Sequence, residues 1–384
     1  MILDRRMILT AMAATPAVGL SAPATARTPD EVLQAALDRV FEAAAPVGLG
    51  ATLISREGVV AAGVRGLRQK EGSEPVRITD AWHLGSNTKA MTAAVFARLV
   101  EQGRADWDLK IVEALPGNHH PAWAETRVID FMHHRAGLKD VDVMGQAWLM
   151  TARADPASLP EQRRAIADKA LSVPPDGTPG EFEYGNANYV LVGAVIEAIT
   201  GKDWETVMRE QVFASLELAS AGFGPPPEPA PWGHREYAGQ DLSLPPSHPG
   251  ADNPQALGPA GTVHMTMSDY ARFLSVFLNG GGDLLTPASV EVLTTPVTTS
   301  PPPYACGWIV LEQPWAGKDS EGPGPVLAHD GSNTAWYATA VVAPAKGLAL
   351  IVVSNDGTAG ARACPMLVEA TIRGLLVAEA GGVV

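Results

Sequence analysis

Apolar positions along the chain follow two rhythms. Between residues 29 and 45, Val32, Leu33, Ala36, Leu37, Val40 and Phe41 recur at three- and four-residue spacings, the period of a helix that buries one face. Between 48 and 66 the pattern alternates in two short runs around Arg56-Glu57-Gly58, which predicts two strands and a hairpin turn. Residues 88–100 are alanine-rich and apolar on most faces, closed by Gly103; a helix without a polar face belongs in the middle of a domain. A helix is also predicted over 188–200, with Leu191, Ala194, Val195, Ala198 and Ile199 as its stripe and Gly201 ending it. Another covers 268–278 and is stopped by Gly280-Gly281-Gly282. Strand patterns return only late, over 307–312, 336–343 and 348–354, and a last helix is expected over roughly 364–378.

Strands therefore sit at both ends and helices fill the centre. The simplest packing of that order is a mixed α+β fold: an antiparallel sheet built from both ends of the chain, flanked by helices, with a mainly helical lobe inserted. The sheet lobe would take residues 27–80 and 300–384, the helical lobe 81–299. An active site is expected in the crevice between them. One stretch fits neither rhythm: 223–261 holds Pro225, Pro226, Pro227, Pro229, Pro231, Pro245 and Pro246. A structureless loop of that length is uncommon in a compact domain unless functional or disordered.

Composition narrows the function classes. With 46% hydrophobic and 18% charged residues the chain is globular. A formal net charge of -14 and the lack of any basic run exclude an electrostatic footprint for nucleic acid. Beyond the N-terminus no apolar stretch is long enough to span a bilayer. The N-terminus reads as an export signal over residues 1–26: Arg5 and Arg6, an apolar run, then Ala24-Thr25-Ala26 as a cleavage site. The paired arginines fit twin-arginine export, unless Met7 is the true start, which would remove both. A periplasmic or secreted location follows as the expectation. Cys306 and Cys364 are read as unpaired structural thiols rather than a bridge. His119-His120 and His133-His134 lack a metal-binding spacing and are read as structural or surface residues, so no metal and no cofactor is expected.

Three short motifs carry candidate chemistry. In Ser86-Asn87-Thr88-Lys89 the serine and lysine are three residues apart and share a face if a helix begins near Gly85. An alcohol needs a base to become a nucleophile, and a lysine shielded from water can lose its proton and serve as one. Tyr184-Gly185-Asn186 offers a phenol for proton shuttling and an amide that both donates and accepts. In His329-Asp330-Gly331-Ser332 the glycine would let a strand edge approach a ligand closely, with backbone N–H groups forming half of an oxyanion hole. The histidine there could donate a proton or contact substrate. Alone, each motif has an ordinary alternative: a solvated surface pair, a turn tyrosine with a capping asparagine, an Asp-Gly turn between strands.

Together, in this order, they resemble a family. Trp82-His83-Leu84-Gly85-Ser86-Asn87-Thr88-Lys89-Ala90-Met91-Thr92 resembles the nucleophile segment of class C β-lactamases, family VIII esterases and D-alanyl-D-alanine carboxypeptidases. His133 to Leu138 resembles the family's H-T-S-G-L segment, Phe182 to Tyr189 its Y-S-N-x-x-Y segment, Pro259-Ala260-Gly261 its glycine turn, and Cys306-Gly307-Trp308 its G-L-G-W strand. The resemblance implies a β-lactamase/transpeptidase-like fold and a serine hydrolase, with Ser86 acylated and Lys89 and Tyr184 sharing proton transfer. Asn186 would orient Lys89 and the substrate amide, while His329, Gly331 and Ser332 would line the substrate and the oxyanion hole. The N–H groups of Ser86 and Ser332 would form that hole. One departure matters: β-lactamases and penicillin-binding proteins carry K-T-G where this chain has His329-Asp330-Gly331. A histidine, mostly neutral near neutral pH, is a weaker anchor for a β-lactam carboxylate. The expected substrate is a small ester, amide or short peptide. A true β-lactamase and a non-catalytic binding or sensor protein are the rivals.

Overall fold

A computed structural model of the chain describes residues 27–318 and 322–381. Helix α1 (Pro29–Ala44) starts where the sequence places it. Thr28 and Glu31 cap it reciprocally, each side chain accepting from the other's backbone N–H at 3.2 and 2.7 Å. Strands β1 (Gly48–Ser55) and β2 (Gly58–Gly66) follow as the expected hairpin, turning on Gly58 at a φ of +132°. A short strand, β3 (Ala81–His83), leads into a one-turn 3₁₀ segment, Gly85–Asn87, and then into α2 (Thr88–Glu101). Helix α2 is buried along nearly its whole length, as its all-round apolar pattern requires.

The central region is helical, with α3 (Asp140–Met144), α4 (Leu159–Leu171) and α5 (Asn186–Thr200) among its elements. It also contains small strands the sequence reading did not anticipate. These are β4 (Gly222–Phe223), the hairpin β5 (Gly233–Tyr237) and β6 (Gln240–Leu244), and β7 (Val263–Thr266). The proline-dense stretch is thus not structureless. Its hairpin is tied to the main sheet's end, where the His234 N–H donates to the carbonyls of Asn355 and Ala335 at 2.8 and 3.0 Å. Strands of five residues with charged, exposed ends lack the apolar alternation by which a strand is recognised in sequence.

After α6 (Met267–Leu278) the chain returns to the sheet through β8 (Ile309–Gln313), β9 (Gly324–Ser332), β10 (Tyr337–Ala343) and β11 (Leu348–Ser354), and ends in α7 (Gly357–Glu379). The six-stranded sheet is antiparallel, in the order β2-β1-β11-β10-β9-β8, so the N-terminal hairpin is sewn to the C-terminal strands through β1 and β11. This is the mixed α+β fold expected from strands at both ends. Both faces of the sheet are covered. On β10 and β11 the residues Ala338, Ala340, Val342, Ala349, Ile351 and Val353 join the larger core, while Tyr337, Val341, Leu350 and Val352 join a second core. The second core lies under α1 and α7. Strands buried on both faces read as continuous apolar runs, which is why these two were legible. Each such Val, Leu or Ile contributes roughly 1.5–3 kcal/mol relative to exposure.

Two boundaries differ from expectation. Helix α7 begins at Gly357, seven residues before the predicted start at 364, because the Asp356 carboxylate caps it by accepting from the N–H groups of Thr358 and Ala359 at 3.0 and 2.9 Å. Gly357 and Gly360, poor helix formers, obscure those turns in the sequence. Gly360 is there for close packing: a Cβ at that position would stand 2.8 Å from the Ser354 Cβ. Strand β9 is absent from the strands predicted by pattern, where only a strand edge or an Asp-Gly turn at Gly331 is expected, and it carries the third motif whole.

Candidate functional site

Ser86 sits in the 3₁₀ turn that opens α2, and Lys89 one turn further on. The Lys89 Nζ lies 3.0 Å from Ser86 Oγ, donates to Asn186 Oδ1 at 2.9 Å and to the carbonyl of Ala260 at 2.7 Å. The side chain is fully buried. Burial pushes the Lys89 amine down to about 7, partly opposed by the carboxylate of Asp140, because a charge without its hydration shell is costly. The first two motifs thus converge on one ammonium. Ala260 comes from the glycine turn Pro259-Ala260-Gly261, which is held by a hydrogen bond from Thr92 Oγ1 to the Pro259 carbonyl at 2.7 Å.

Asp140 is a residue that sequence reasoning missed. Its carboxylate accepts from the N–H groups of Asn186 and Ala187 at 3.0 and 2.7 Å, so it caps α5 and fixes the residue whose side chain holds Lys89. A negative charge at a helix N-terminus is favourable. The only sequence signal was its place just beyond the His133–Leu138 segment.

Tyr184 lies with its ring centroid 5.0 Å from Lys89 Nζ, and Tyr189 with its own at 5.7 Å. Around Tyr184 stand His134 at 4.5 Å, His329 at 6.2 Å and Tyr304 at 6.4 Å between ring centroids. Lys89 is therefore enclosed by aromatic rings, which exclude water and favour a cation weakly through their faces. His134, at a φ of +57°, is buried within this cluster, a structural role of the kind expected, although directly behind the site. His133 is likewise buried, which pushes its imidazole down to about 4. His120 caps a short turn by accepting from the Ala122 N–H at 3.2 Å, and His119 Nε2 meets the Leu115 carbonyl.

The third motif arrives from β9, whose end lies against the 3₁₀ turn. A Cβ on Gly331 would stand 2.0 Å from the Leu84 carbonyl oxygen and 2.8 Å from the Ser86 nitrogen. A Cβ on Gly85, itself at a φ of +51°, would stand 2.3 Å from the Ser332 nitrogen. Both glycines are needed for the two backbones to touch, and their touching brings the Ser86 and Ser332 N–H groups together. The Ser332 hydroxyl is occupied, donating to the Trp336 carbonyl at 2.7 Å and accepting from the Thr334 N–H at 2.9 Å.

His329 is not placed as a substrate contact. Its ring is buried; Nδ1 lies 2.6 Å from the carbonyl oxygen of Asp330 and Nε2 lies 3.0 Å from the Tyr304 hydroxyl. Nδ1 therefore carries the proton and Nε2 accepts one. Burial, with Lys89 nearby, pushes the imidazole down to about 3, so it stays neutral at any physiological pH. The strand's alternation turns its side chain inward towards Tyr304, while Asp330, on the other face, accepts from Thr339 Oγ1 at 2.6 Å. Tyr304, bonded to His329 and packed on Tyr184, is another residue the motifs did not reveal.

Cys306 and Cys364 are free and buried, in the two different cores. The expected export signal lies outside the described residues. Among the described residues no helix is long and apolar enough to cross a membrane, and no group of three or more His, Cys, Asp or Glu residues is arranged to hold a metal ion.

Over 305 residues the chain is 26% identical to penicillin-binding protein 4 of Amycolatopsis lactamdurans, covering 72% of each protein. Over 295 residues it is 25% identical to the unguisins hydrolase ungD' of Aspergillus campestris, covering 71% of this chain but only 52% of that longer protein. The D-amino acid amidase from Ochrobactrum anthropi SV3, solved with L-phenylalanine amide, superposes with a TM-score of 0.72 at 19% identity, over 91% of this chain and 99% of the other. That likeness is one of fold. Residues 34–371 match the family described as Beta-lactamase. A match across nearly the whole described chain, on a fold that gathers the serine, lysine and glycine strand at one point, makes this protein a member of the Beta-lactamase family of serine hydrolases.

Proposed function

We propose that the protein hydrolyses neutral esters or amides through an acyl-enzyme on Ser86. The observation that carries this reading is the Lys89 amine, 3.0 Å from Ser86 Oγ and pushed down to about 7 by burial. A neutral Lys89 can take the Ser86 proton as the oxygen attacks the acyl carbon. The negative oxygen that forms would sit between the N–H groups of Ser86 and Ser332. As the intermediate collapses, the proton passes to the departing alcohol or amine through Lys89 and Tyr184, which are assigned jointly. Water then attacks the acyl-enzyme by the same route in reverse, releasing the acid and restoring Ser86. Asn186 holds Lys89 and offers its amide to the substrate. His329 supports Tyr304 and Tyr184 rather than touching substrate. Gly331 acts by its lack of a side chain.

The preference for neutral acyl donors rests on the same histidine. Where β-lactamases place the K-T-G lysine, this chain has a buried neutral imidazole with both nitrogens engaged. A substrate carboxylate gains no cation there. A β-lactam substrate is the second reading, favoured by the similarity to a penicillin-binding protein. One sheet-and-helix hydrolase domain over 27–384 and export through residues 1–26 complete the proposal. The order of charge, apolar run and cleavage site supports the export signal, and N-terminal sequencing of the exported protein checks it.

A fluorophosphonate probe followed by mass spectrometry should place the adduct on Ser86, and Ser86→Ala should abolish both label and turnover; an adduct elsewhere overturns the mechanism. Turnover of p-nitrophenyl acetate should exceed that of nitrocefin. The reverse order would establish the β-lactam reading.

A further inference from the structure

The proline-dense stretch holds a buried carboxylate that reaches both halves of the candidate oxyanion hole. Asp252 Oδ1 lies 2.9 Å from His83 Nε2 and accepts from Asn333 Nδ2 at 2.9 Å. All three side chains are buried. The other ring nitrogen of His83, Nδ1, accepts from the Gly85 N–H at 3.1 Å. With Nδ1 an acceptor, the ring proton is on Nε2, which lies in close contact with the Asp252 carboxylate at 2.9 Å without the alignment of a hydrogen bond. One arm of the contact thus ends on the Leu84–Gly85 peptide, one peptide before the Ser86 N–H.

The other arm ends just after Ser332. Asn333 donates a second bond to the Ala251 carbonyl at 3.0 Å, while its Oδ1 accepts from the N–H groups of Ala335 and Trp336, each at 3.1 Å. That fixes the turn from β9 to β10 into which the Ser332 hydroxyl is also bonded. Asp252 is held in turn from outside: Arg153 Nη2 donates to its carbonyl at 2.6 Å. Two segments distant in sequence, 83–86 and 332–336, are therefore referred to a single carboxylate. A buried carboxylate costs free energy that apolar packing would not, so its retention calls for a role beyond filling space.

We propose that Asp252 is a positioning residue, which sets the spacing of the Ser86 and Ser332 N–H groups through His83 and Asn333. It touches no substrate. The inference rests on the acyl-enzyme reading above, because an oxyanion forms only in acyl transfer. Interactions made in the transition state and not with bound substrate appear in kcat rather than KM.

The test is steady-state kinetics on p-nitrophenyl acetate, with active sites counted by fluorophosphonate labelling and folding followed by thermal melting. Asp252→Ala should lower kcat per labelled site by roughly 10–100-fold with KM within about 3-fold, somewhat less than the loss of a whole oxyanion donor. Asp252→Asn, whose amide oxygen still accepts from Asn333 and keeps the contact with His83, should recover most of that loss. Asp252→Ala combined with His83→Asn should be no worse than Asp252→Ala alone, since losing the carboxylate already cuts the His83 arm. Should Asp252→Ala not fold, His83→Asn carries the test: it keeps an acceptor beside the Gly85 N–H, loses the reach to Asp252, and should lower kcat more than about 2-fold but by no more than roughly 10–100-fold, since the Asn333 arm remains. A kcat per labelled site within about 2-fold of wild type in the folded variants, whatever the melting temperature, overturns the inference. Wild-type protein without turnover or label on Ser86 would instead overturn the hydrolase reading beneath it.

Discussion

At the scale of single residues the site turns on how a lysine is kept ready to lose its proton. Lys89 is pushed down to about 7 by burial and partly restored by Asp140. In the proposed mechanism Lys89, sharing proton transfer with Tyr184, acts in its neutral form, so kcat should rise with pH through about 7 and level off above it; a pH–rate profile measures this. Asp140→Asn removes the opposing charge, so the rising limb should move to lower pH. The weakened cap on α5 should cost about 1 kcal/mol of stability by denaturant titration. The same amine affects folding. An unfolded lysine titrates near about 10.4, so between about 7 and that value the unfolded chain binds more protons and this group makes the fold more stable as pH rises. His329→Lys tests the neutral substrate pocket: it places a second cation beside Lys89 in a buried position. The expected outcome is a lower melting temperature and no gain in nitrocefin turnover.

At the scale of elements, glycines decide how closely backbones approach the site. Gly193, inside α5, faces the turn that supplies the Ala260 carbonyl, and a Cβ there would stand 2.3 Å from Pro259 Cγ. Gly193→Ala should displace that turn from Lys89 and lower kcat more than tenfold while the far-ultraviolet helical signal remains, a dissociation that kinetics and circular dichroism on one sample would show. Such contacts also explain what could be read in advance. Ser86 and Lys89 share one local segment, so their meeting follows from a spacing. Helix α2 and strands β10 and β11 announce themselves by continuous apolar runs. Strand β9 does not, because His329, Asp330 and Gly331 interrupt its pattern for the sake of the site. Asp140, Asp252 and Tyr304 act through tertiary contacts across long stretches of chain, and no local period encodes those. The motif at His329 was legible as a place but not as a contact, since its inward turn depends on the strand's register against β10.

At the scale of the whole molecule, two cores lie on opposite faces of one sheet, and the cysteines are divided between them. Burial pushes both thiols well above their usual range. Ellman's reagent should therefore find no reactive thiol in the native protein and two after denaturation, whether or not reductant is present. A single fold with shared layers also implies that neither the N-terminal hairpin nor the C-terminal strands can be spared. β1 lies between β2 and β11, and removal of β11 and α7 would leave it with an open edge and α1 without its packing partner.

That placement of β1 has a consequence for biosynthesis. The strand emerges early from the ribosome, yet its neighbour β11 is among the last segments made, and β9, which completes the ground around Ser86, comes only shortly before. On the proposed mechanism a nascent chain carries Ser86 long before it can act, and hydrolytic competence would arrive only once β9 and β11 have been made and the sheet can close.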